Sequence, residues 1–147
     1  MGNLNANILV TVFSNPHCNP CAKLHKRIEE ILQNEENNLC FQYIFTAFNE
    51  ELKASSKALL SAYLDFPRGK AGEIISEWFD SGKNNKEEFF KKYELDPERE
   101  NVVNEFDKHV EWNKDAGLHA TPTILVNGFL LPDNYRIEDL KYFKSFD

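Results

Sequence analysis

Residues 14–25, SNPHCNPCAKLH, decide how the rest of the chain is interpreted. The segment holds two cysteines separated by two residues, with a histidine directly before the first and a proline directly before the second. Cysteines in this spacing serve as a redox pair, as half of a metal site or as a structural disulfide. Each alternative describes a different kind of protein, so we examined the sequence on both sides of the segment.

The cysteine segment lies between a predicted strand and a predicted helix. Residues 7–14, NILVTVFS, are a short β-branched and aromatic run that is typical of a central strand buried on both faces. Apolar residues then recur at helical spacing over residues 24–32 and predict an amphipathic helix that ends near the polar loop at 33–38. Residues 39–48, LCFQYIFTAF, predict a second strand. This order predicts a βαβ unit with two parallel strands.

Residues from about 50 to 116 keep a helical pattern, which we interpret as an insertion within a single domain covering residues 1–147. Breaks at Pro67, Gly82 and Pro97 divide it into four helices, and Pro97 is well placed for the first turn of the fourth. The four predicted apolar stripes are Leu59, Leu60, Tyr63 and Leu64; Ile74, Ile75, Trp78 and Phe79; Phe89, Phe90 and Tyr93; and Val102, Val103, Phe106 and Val110.

The last part of the chain predicts a hairpin followed by a helix. Gly117 is a plausible stop for the fourth inserted helix. Residues 121–132, TPTILVNGFLLP, contain a strand, the Asn127 and Gly128 pair that favours a two-residue turn, and a short return strand. A final helix is indicated by Ile137, Leu140, Tyr142 and Phe143.

Composition excludes some classes of protein. The chain is 41% apolar and 28% charged, and its formal net charge is −7. Basic residues are scattered among acidic ones, whereas a nucleic-acid partner would require a positive surface, so we expect no nucleic acid to bind. No apolar run approaches the roughly 18 residues of a membrane helix. Residues 1–13 carry no secretory signal, which indicates either a cytoplasmic protein or a domain cut from a longer chain.

A redox role for the cysteines follows from their position at the start of a helix. Cys18 and Cys21 would lie on the same side of the first turn, where their sulfurs can bond to each other. Free backbone N–H groups and the helix dipole stabilise a thiolate there. Cys18 would attack a substrate disulfide or receive a substrate thiolate, and Cys21 would resolve the mixed disulfide.

The neighbouring residues are candidates for tuning this chemistry. Pro20 fits the first helical turn, and its missing N–H leaves fewer donors to hold a thiolate. Asn19 and Pro20 do not settle whether the pair oxidises, reduces or isomerises disulfides. His17 would stabilise the Cys18 thiolate if it is protonated, and it is otherwise a solvent-exposed loop histidine. Both interpretations of His17 stay open.

The metal and structural alternatives find less support. Structural zinc requires four ligands, usually from two paired knuckles, and the sequence has no second pair. Cys40 lies within an apolar strand, where a cysteine usually packs as a small hydrophobic residue. A disulfide that closes so short a loop removes little entropy from the unfolded chain. We therefore expect no metal site; the remaining candidate ligands are His17, His25, Cys40, His109 and His119.

The motif of Cys18, Asn19, Pro20 and Cys21, together with Thr121 and Pro122, resembles the thioredoxin superfamily, and the helical insertion resembles bacterial Dsb-type disulfide oxidoreductases. Residues 18–25 and 117–140 are more closely similar to the thioredoxin-like domain fused to bacterial vitamin K epoxide reductase homologues. The resemblance implies an α/β thioredoxin fold, βαβ plus ββα with a helical insertion between the halves. It also implies thiol–disulfide exchange with protein or peptide substrates and without a cofactor, since the dithiol carries two electrons.

The same resemblance implies the roles of three further positions. Pro122 would be a cis-proline facing the cysteines, and the backbone of Thr121 would pair with a substrate peptide; the alternative is an ordinary trans proline at a strand start. Relatives carry a buried carboxylate six residues before the nucleophile, where this chain has Val12. Proton transfer at Cys21 would then need Thr11, a water or another route.

The resemblance also implies a partner and a location. If the chain is a domain of such a fusion, a membrane quinone-linked reductase reoxidises the pair, and the protein acts in the periplasm or another extracytoplasmic space. If the chain is complete, the location is cytoplasmic. The competing class is a non-catalytic thioredoxin-fold module that captures peptides near Pro122 and in which the cysteines are incidental.

Overall fold

A computed structural model describes residues 1–33, 38–46 and 48–142. Within these ranges the chain forms four strands and five α-helices in the order β1 (Ile8–Ser14), α1 (Asn19–Leu32), β2 (Leu39–Phe45), α2 (Glu50–Asp65), α3 (Arg68–Asp80), α4 (Lys86–Lys92), α5 (Glu100–Ala116), β3 (Thr123–Val126) and β4 (Phe129–Leu130). Two 3₁₀ helices, Gly82–Asn85 and Ile137–Tyr142, complete the described structure.

The strands form one mixed sheet in the order β2-β1-β3-β4. β1 pairs in parallel with β2 and antiparallel with β3, so β1 is a central strand, as its apolar run predicts. Asn127 and Gly128 turn the chain from β3 into β4 with φ angles of 48° and 88°, the positive values that a tight hairpin requires. The predicted α/β order of βαβ followed by ββα is confirmed.

One predicted element boundary is wrong, and the final predicted helix is of the 3₁₀ type. β2 ends at Phe45 and not at residue 48, because Thr46 N–H makes the last bond to Ser14 O and Asn49 already caps α2. The final helix is a 3₁₀ helix in its described part, Ile137–Tyr142. Phe143 and most of the loop at 33–38 lie outside the described residues.

The insertion contains the four predicted helices, α2 to α5, but two of the predicted stripes are shifted. Tyr63 and Leu64 are 50% and 39% exposed, while α2 buries small side chains such as Ser55 and Ala58. Small residues allow the neighbouring helices to approach closely, and hydrophobic periodicity does not detect them. In α5, Val110 is 40% exposed and His109 is buried instead. Pro97 lies in the turn before α5 and not in its first turn.

Buried side chains form two clusters. One lies within the inserted helices around the fully buried Trp78 and extends to Cys21 and Phe45. The other packs α1 and the final 3₁₀ helix against the sheet and includes the buried Val12 and Ile28. The inserted helices therefore build a core that reaches the cysteine segment. None of the described helices combines the length and the apolar character needed to cross a membrane.

Candidate active site

Cys18 occupies the N-terminal cap of α1, at the point where the chain leaves the central strand. Its backbone is extended, and its sulfur accepts the N–H of Cys21 at an N···S distance of 3.3 Å. Asn19 and Pro20 are the first two residues of α1, so the proline costs the helix no backbone hydrogen bond. Cys18 is partly exposed. A sulfur in this position is accessible and receives a donor that stabilises a thiolate.

Cys21 lies one helical turn further along and is buried. Its exposed fraction is 2%, against the partial exposure of Cys18. Burial, with a smaller contribution from the hydrogen bond to Cys18, raises the pKa of the Cys21 thiol to about 11. The two cysteines therefore differ in access, and Cys21 is held as a neutral thiol behind Cys18.

Thr121 approaches the cysteines from the other half of the fold. The Cys18 thiol points to the carbonyl oxygen of Thr121 at an S···O distance of 3.8 Å, across 103 positions of sequence. The peptide bond between Thr121 and Pro122 is cis, and β3 begins directly after it. Among the residues singled out from the sequence, the structure thus brings Cys18, Cys21 and Thr121 together.

The loop before Cys18 is tied to the inserted helices. The indole Nε1–H of the buried Trp78 donates to the carbonyl oxygen of Pro16 at 2.8 Å. The ring of His17 packs edge-on against Trp78, with 5.5 Å between ring centroids, and its Nε2 lies 2.7 Å from Ser55 Oγ. The helical insertion therefore positions the loop before Cys18 through α2 and α3.

These contacts bear on both interpretations of His17. Burial lowers its pKa, so the ring is neutral at neutral pH and supplies no positive charge to the Cys18 thiolate. Its hydrogen bond to Ser55 also shows that it is not a free loop side chain. The residue instead connects the loop to α2.

Sequence reasoning missed a buried polar pair beside the cysteines. His25 is 2% exposed, and its Nδ1 lies 2.5 Å from Tyr43 Oη. Its Nε2 lies 2.8 Å from Ser76 Oγ in α3. The available signal was that His25 follows Cys21 by four positions, which places both on one face of α1.

The third cysteine lies apart from the pair. Cys40 is partly buried on β2 and lines a cavity of about 420 Å³ together with residues such as Tyr63, Arg68 and Trp112. Among the residues that the structure describes, no three His, Cys, Asp or Glu side chains are grouped so as to hold a metal ion.

The comparisons with known proteins agree with this fold. The family model described as Thioredoxin matches residues 1–143. Oxidoreductase DsbA from Xylella fastidiosa is 18% identical with a TM-score of 0.71, covering 96% of this chain and 84% of that one. BdbD from Bacillus subtilis in its oxidised form is 18% identical with a TM-score of 0.73, covering 97% and 88%. A linker-deletion variant of ScsC from Proteus mirabilis is 15% identical with a TM-score of 0.78, covering 97% and 70%.

Against curated proteins the sequence has no match. At 15 to 18% identity, the solved structures support a shared fold and no more. The family model covers nearly the whole chain, including both cysteines and the segment around Thr121. From the sheet order, the helices between its two halves and this match, we conclude that the chain belongs to the thioredoxin family.

Proposed function

We propose that the protein is a thiol–disulfide oxidoreductase that exchanges disulfides with protein or peptide thiols through Cys18 and Cys21. The observation that carries the proposal is the pairing of an accessible sulfur at a helix N-terminus with a buried thiol one turn behind it. Such a pair can bind a substrate sulfur covalently and then release it. A cofactor is not needed, because the two sulfurs hold the two electrons.

In the reductive direction, the Cys18 thiolate attacks a substrate disulfide. A bond forms between Cys18 Sγ and one substrate sulfur, and the other substrate sulfur leaves as a thiolate. Cys21 then loses its proton and attacks Cys18 Sγ, which forms the Cys18–Cys21 disulfide and releases the second substrate thiolate. The substrate gains two electrons and the dithiol loses two. The oxidative direction runs the same steps in reverse.

Thr121 and Pro122 are the proposed substrate-facing wall. The carbonyl oxygen of Thr121 lies 3.8 Å from Cys18 Sγ, so a peptide that presents its sulfur to Cys18 must pass along this backbone. A backbone carbonyl can accept a peptide N–H whatever the side chain, which suits varied protein substrates. This supports peptides and proteins, in place of one small thiol, as the substrates.

The first experiment measures reduction of insulin disulfides by dithiothreitol in the presence of the protein. Cys18→Ser should abolish the acceleration, and Cys21→Ser should allow a single mixed disulfide to form and then stall. Cys40→Ser is the matched control, because Cys40 lies on β2 away from the pair. A Cys18→Ser variant with full activity would refute the proposed function.

The direction of exchange requires a second measurement. Thioredoxin-type pairs differ by about 150 mV in reduction potential, between the reductant thioredoxin and the oxidant DsbA. The potential of the Cys18–Cys21 pair, measured at equilibrium against glutathione, places this protein on that scale. A value near that of thioredoxin would exclude an oxidase, and a value at the oxidising end would exclude a reductase.

Two rival functions are tested with the same material. A non-catalytic peptide-binding module would bind peptides equally well after Cys18→Ser and would show no exchange in the wild-type protein. A zinc-binding domain would retain one equivalent of zinc when it is purified without chelators.

The proposed partner is a membrane reductase of the vitamin K epoxide reductase type, with the domain acting in the periplasm or another extracytoplasmic space. Support comes from the similarity of residues 18–25 and 117–140 to domains fused to such enzymes. Reoxidation of the reduced protein by membrane vesicles that contain such an enzyme and a quinone would test this. Equal reoxidation by vesicles that lack the enzyme would refute it.

A further inference from the structure

Cys21 must exchange a proton during each catalytic cycle, yet it is shielded from solvent. The thiol is 2% exposed, and its proton has to leave before the sulfur can attack the mixed disulfide. The central strand offers no acid at this point, because Val12 is apolar. Thr11 is the adjacent polar residue, but strand alternation places it on the opposite face of the sheet, where its hydroxyl accepts from Gln42. The proton therefore needs another route.

Tyr43 lies on the side of the sheet that faces Cys21. It is the in-register partner of Val12 on the neighbouring parallel strand, so both side chains project to the same face. The ring packs against the buried cluster that contains Cys21. Its hydroxyl oxygen lies 2.5 Å from His25 Nδ1. Tyr43 thus joins the cluster that holds the buried thiol, through its ring, to a buried histidine, through its hydroxyl group.

His25 connects this hydroxyl to solvent. Its Nε2 lies 2.8 Å from Ser76 Oγ and 3.2 Å from a carboxylate oxygen of Glu29, whose side chain is 42% exposed. The imidazole and Ser76 both line an open cleft of about 500 Å³ between α1 and α3. One ring nitrogen therefore faces the interior and the other faces the cleft.

The electrostatic environment keeps His25 neutral. Burial lowers its pKa to about 4, and burial also raises the pKa of Tyr43. The carboxylate of Glu29, which can only accept, lies 3.2 Å from Nε2, and this assigns the hydrogen of the neutral ring to Nε2 and makes the phenol the donor to Nδ1. The charged groups that face the imidazole from α1 and α3 across the cleft are Lys23, Lys26, Glu29, Glu77 and Asp80. A neutral imidazole between a phenol and a carboxylate can accept a proton on one nitrogen and release one from the other.

We propose that Tyr43 and His25 form a proton relay that connects the buried Cys21 thiol to the cleft between α1 and α3. The proposal rests on the proposed function. When Cys21 attacks the mixed disulfide, its proton passes to Tyr43 Oη, the phenolic proton passes to His25 Nδ1, and the Nε2 proton leaves to Glu29 or solvent. When a Cys18–Cys21 disulfide is opened, one proton moves inward by the same route.

The two residues act on Cys21 and do not touch the substrate, so they are positioning and relay residues. A purely structural pair would stabilise the fold without affecting how the rate of resolution depends on pH. The relay makes a distinct prediction. The Cys21 thiol has a pKa of about 11, and below that pH its thiolate fraction rises tenfold for each unit by which the pH rises. Resolution without a relay should therefore become about tenfold faster per pH unit. With the relay, the neutral His25 ring takes up the proton, and because this ring is neutral throughout the range above pH 5, the rate of resolution should depend little on pH.

The test separates the two chemical steps in the full chain. Mixed-disulfide formation at Cys18 is measured by mass spectrometry in a Cys21→Ala background, with glutathione disulfide as the oxidant. Resolution is measured in the chain with both cysteines, at oxidant concentrations where the observed rate no longer rises. Both rates are recorded between pH 5.5 and 8.5 for the wild type, His25→Gln and Tyr43→Phe. His109→Gln is the matched control, a second buried histidine that bonds only the backbone N–H of Phe45 among the described hydrogen bonds.

His25→Gln and Tyr43→Phe should leave mixed-disulfide formation unchanged and slow resolution by about tenfold or more at pH 6. The wild type should show a nearly flat pH profile for resolution, and both variants should show the steep one. If both variants resolved the mixed disulfide at the wild-type rate and with the wild-type pH dependence, the relay would be refuted. An equally slow resolution in His109→Gln would refute it too. If Cys18 forms no mixed disulfide in any background, the proposed function itself fails. If His25→Gln does not fold, Tyr43→Phe alone decides, since it removes one hydroxyl group and keeps the ring.

Discussion

Acid should destabilise this protein well above the range in which ordinary carboxylates protonate, and His25 should be a principal cause. Burial lowers the pKa of His25 from an ordinary value of 6.5 to about 4. Between these values the unfolded chain binds a proton that the folded chain excludes, so the free energy of unfolding falls as the pH falls. The difference between the two pKa values corresponds to a loss of about 3 kcal/mol in the free energy of unfolding, at 1.36 kcal/mol per pKa unit.

The neighbours of His25 do not reverse this direction. The carboxylate of Glu29 lies 3.2 Å from Nε2 and would favour the charged ring, but its side chain is 42% exposed, so water screens the interaction. The Tyr43 hydroxyl, 2.5 Å from Nδ1, can donate to the neutral ring or accept from the charged ring, so it favours neither form. Burial therefore outweighs the ion pair, and the neutral ring is the folded form.

The assay is urea unfolding between pH 4.5 and 7.5, followed by circular dichroism, for the wild type and His25→Gln. Arg27 lowers the pKa of Glu138 to about 2, so this pair adds stability that is lost as the pH falls below 4.5. The lower limit of the assay keeps that loss out of the measurement. His17 and His109 also have pKa values lowered by burial and add to the wild-type slope, so the difference between the two proteins isolates His25. Parallel curves for wild type and variant would refute the reasoning.

Three further substitutions test other parts of the structure. Trp78→Phe leaves the buried carbonyl of Pro16 without its hydrogen-bond donor and should lower the free energy of unfolding in urea by about 2–4 kcal/mol. An unchanged urea midpoint would contradict the role of Trp78 in holding the loop before Cys18. Asn127→Ala loses a 2.7 Å bond from Leu9 N–H and places alanine at a φ of 48°, so thermal unfolding should show a loss of about 1–2 kcal/mol. Gly117→Ala meets open space at a φ of 68°, so backbone strain alone should cost about 1 kcal/mol by calorimetry, and a larger loss would indicate an unrecognised contact.

The features that the sequence predicts correctly are those encoded by local patterns. The apolar run of β1, the cysteine turn into α1 and the hairpin at Asn127 each depend on residues within a few positions of one another. The breaks between the inserted helices are local for the same reason. The errors in the insertion occur where small residues such as Ala58 pack among the inserted helices, because close packing and not hydrophobicity determines their burial.

The amino-acid sequence by itself determined the α/β order, the position of Cys18 and Cys21 at a helix start, and the arrival of Thr121 in the second half. Only the tertiary structure decided that Trp78 holds the loop before Cys18 and that Tyr43 meets His25. The physical reason is that these contacts join residues 18 to 62 positions apart, through strand register and helix packing. A hydrogen bond across such a distance leaves no periodic signal in the sequence, although it determines what chemistry the local motif can perform.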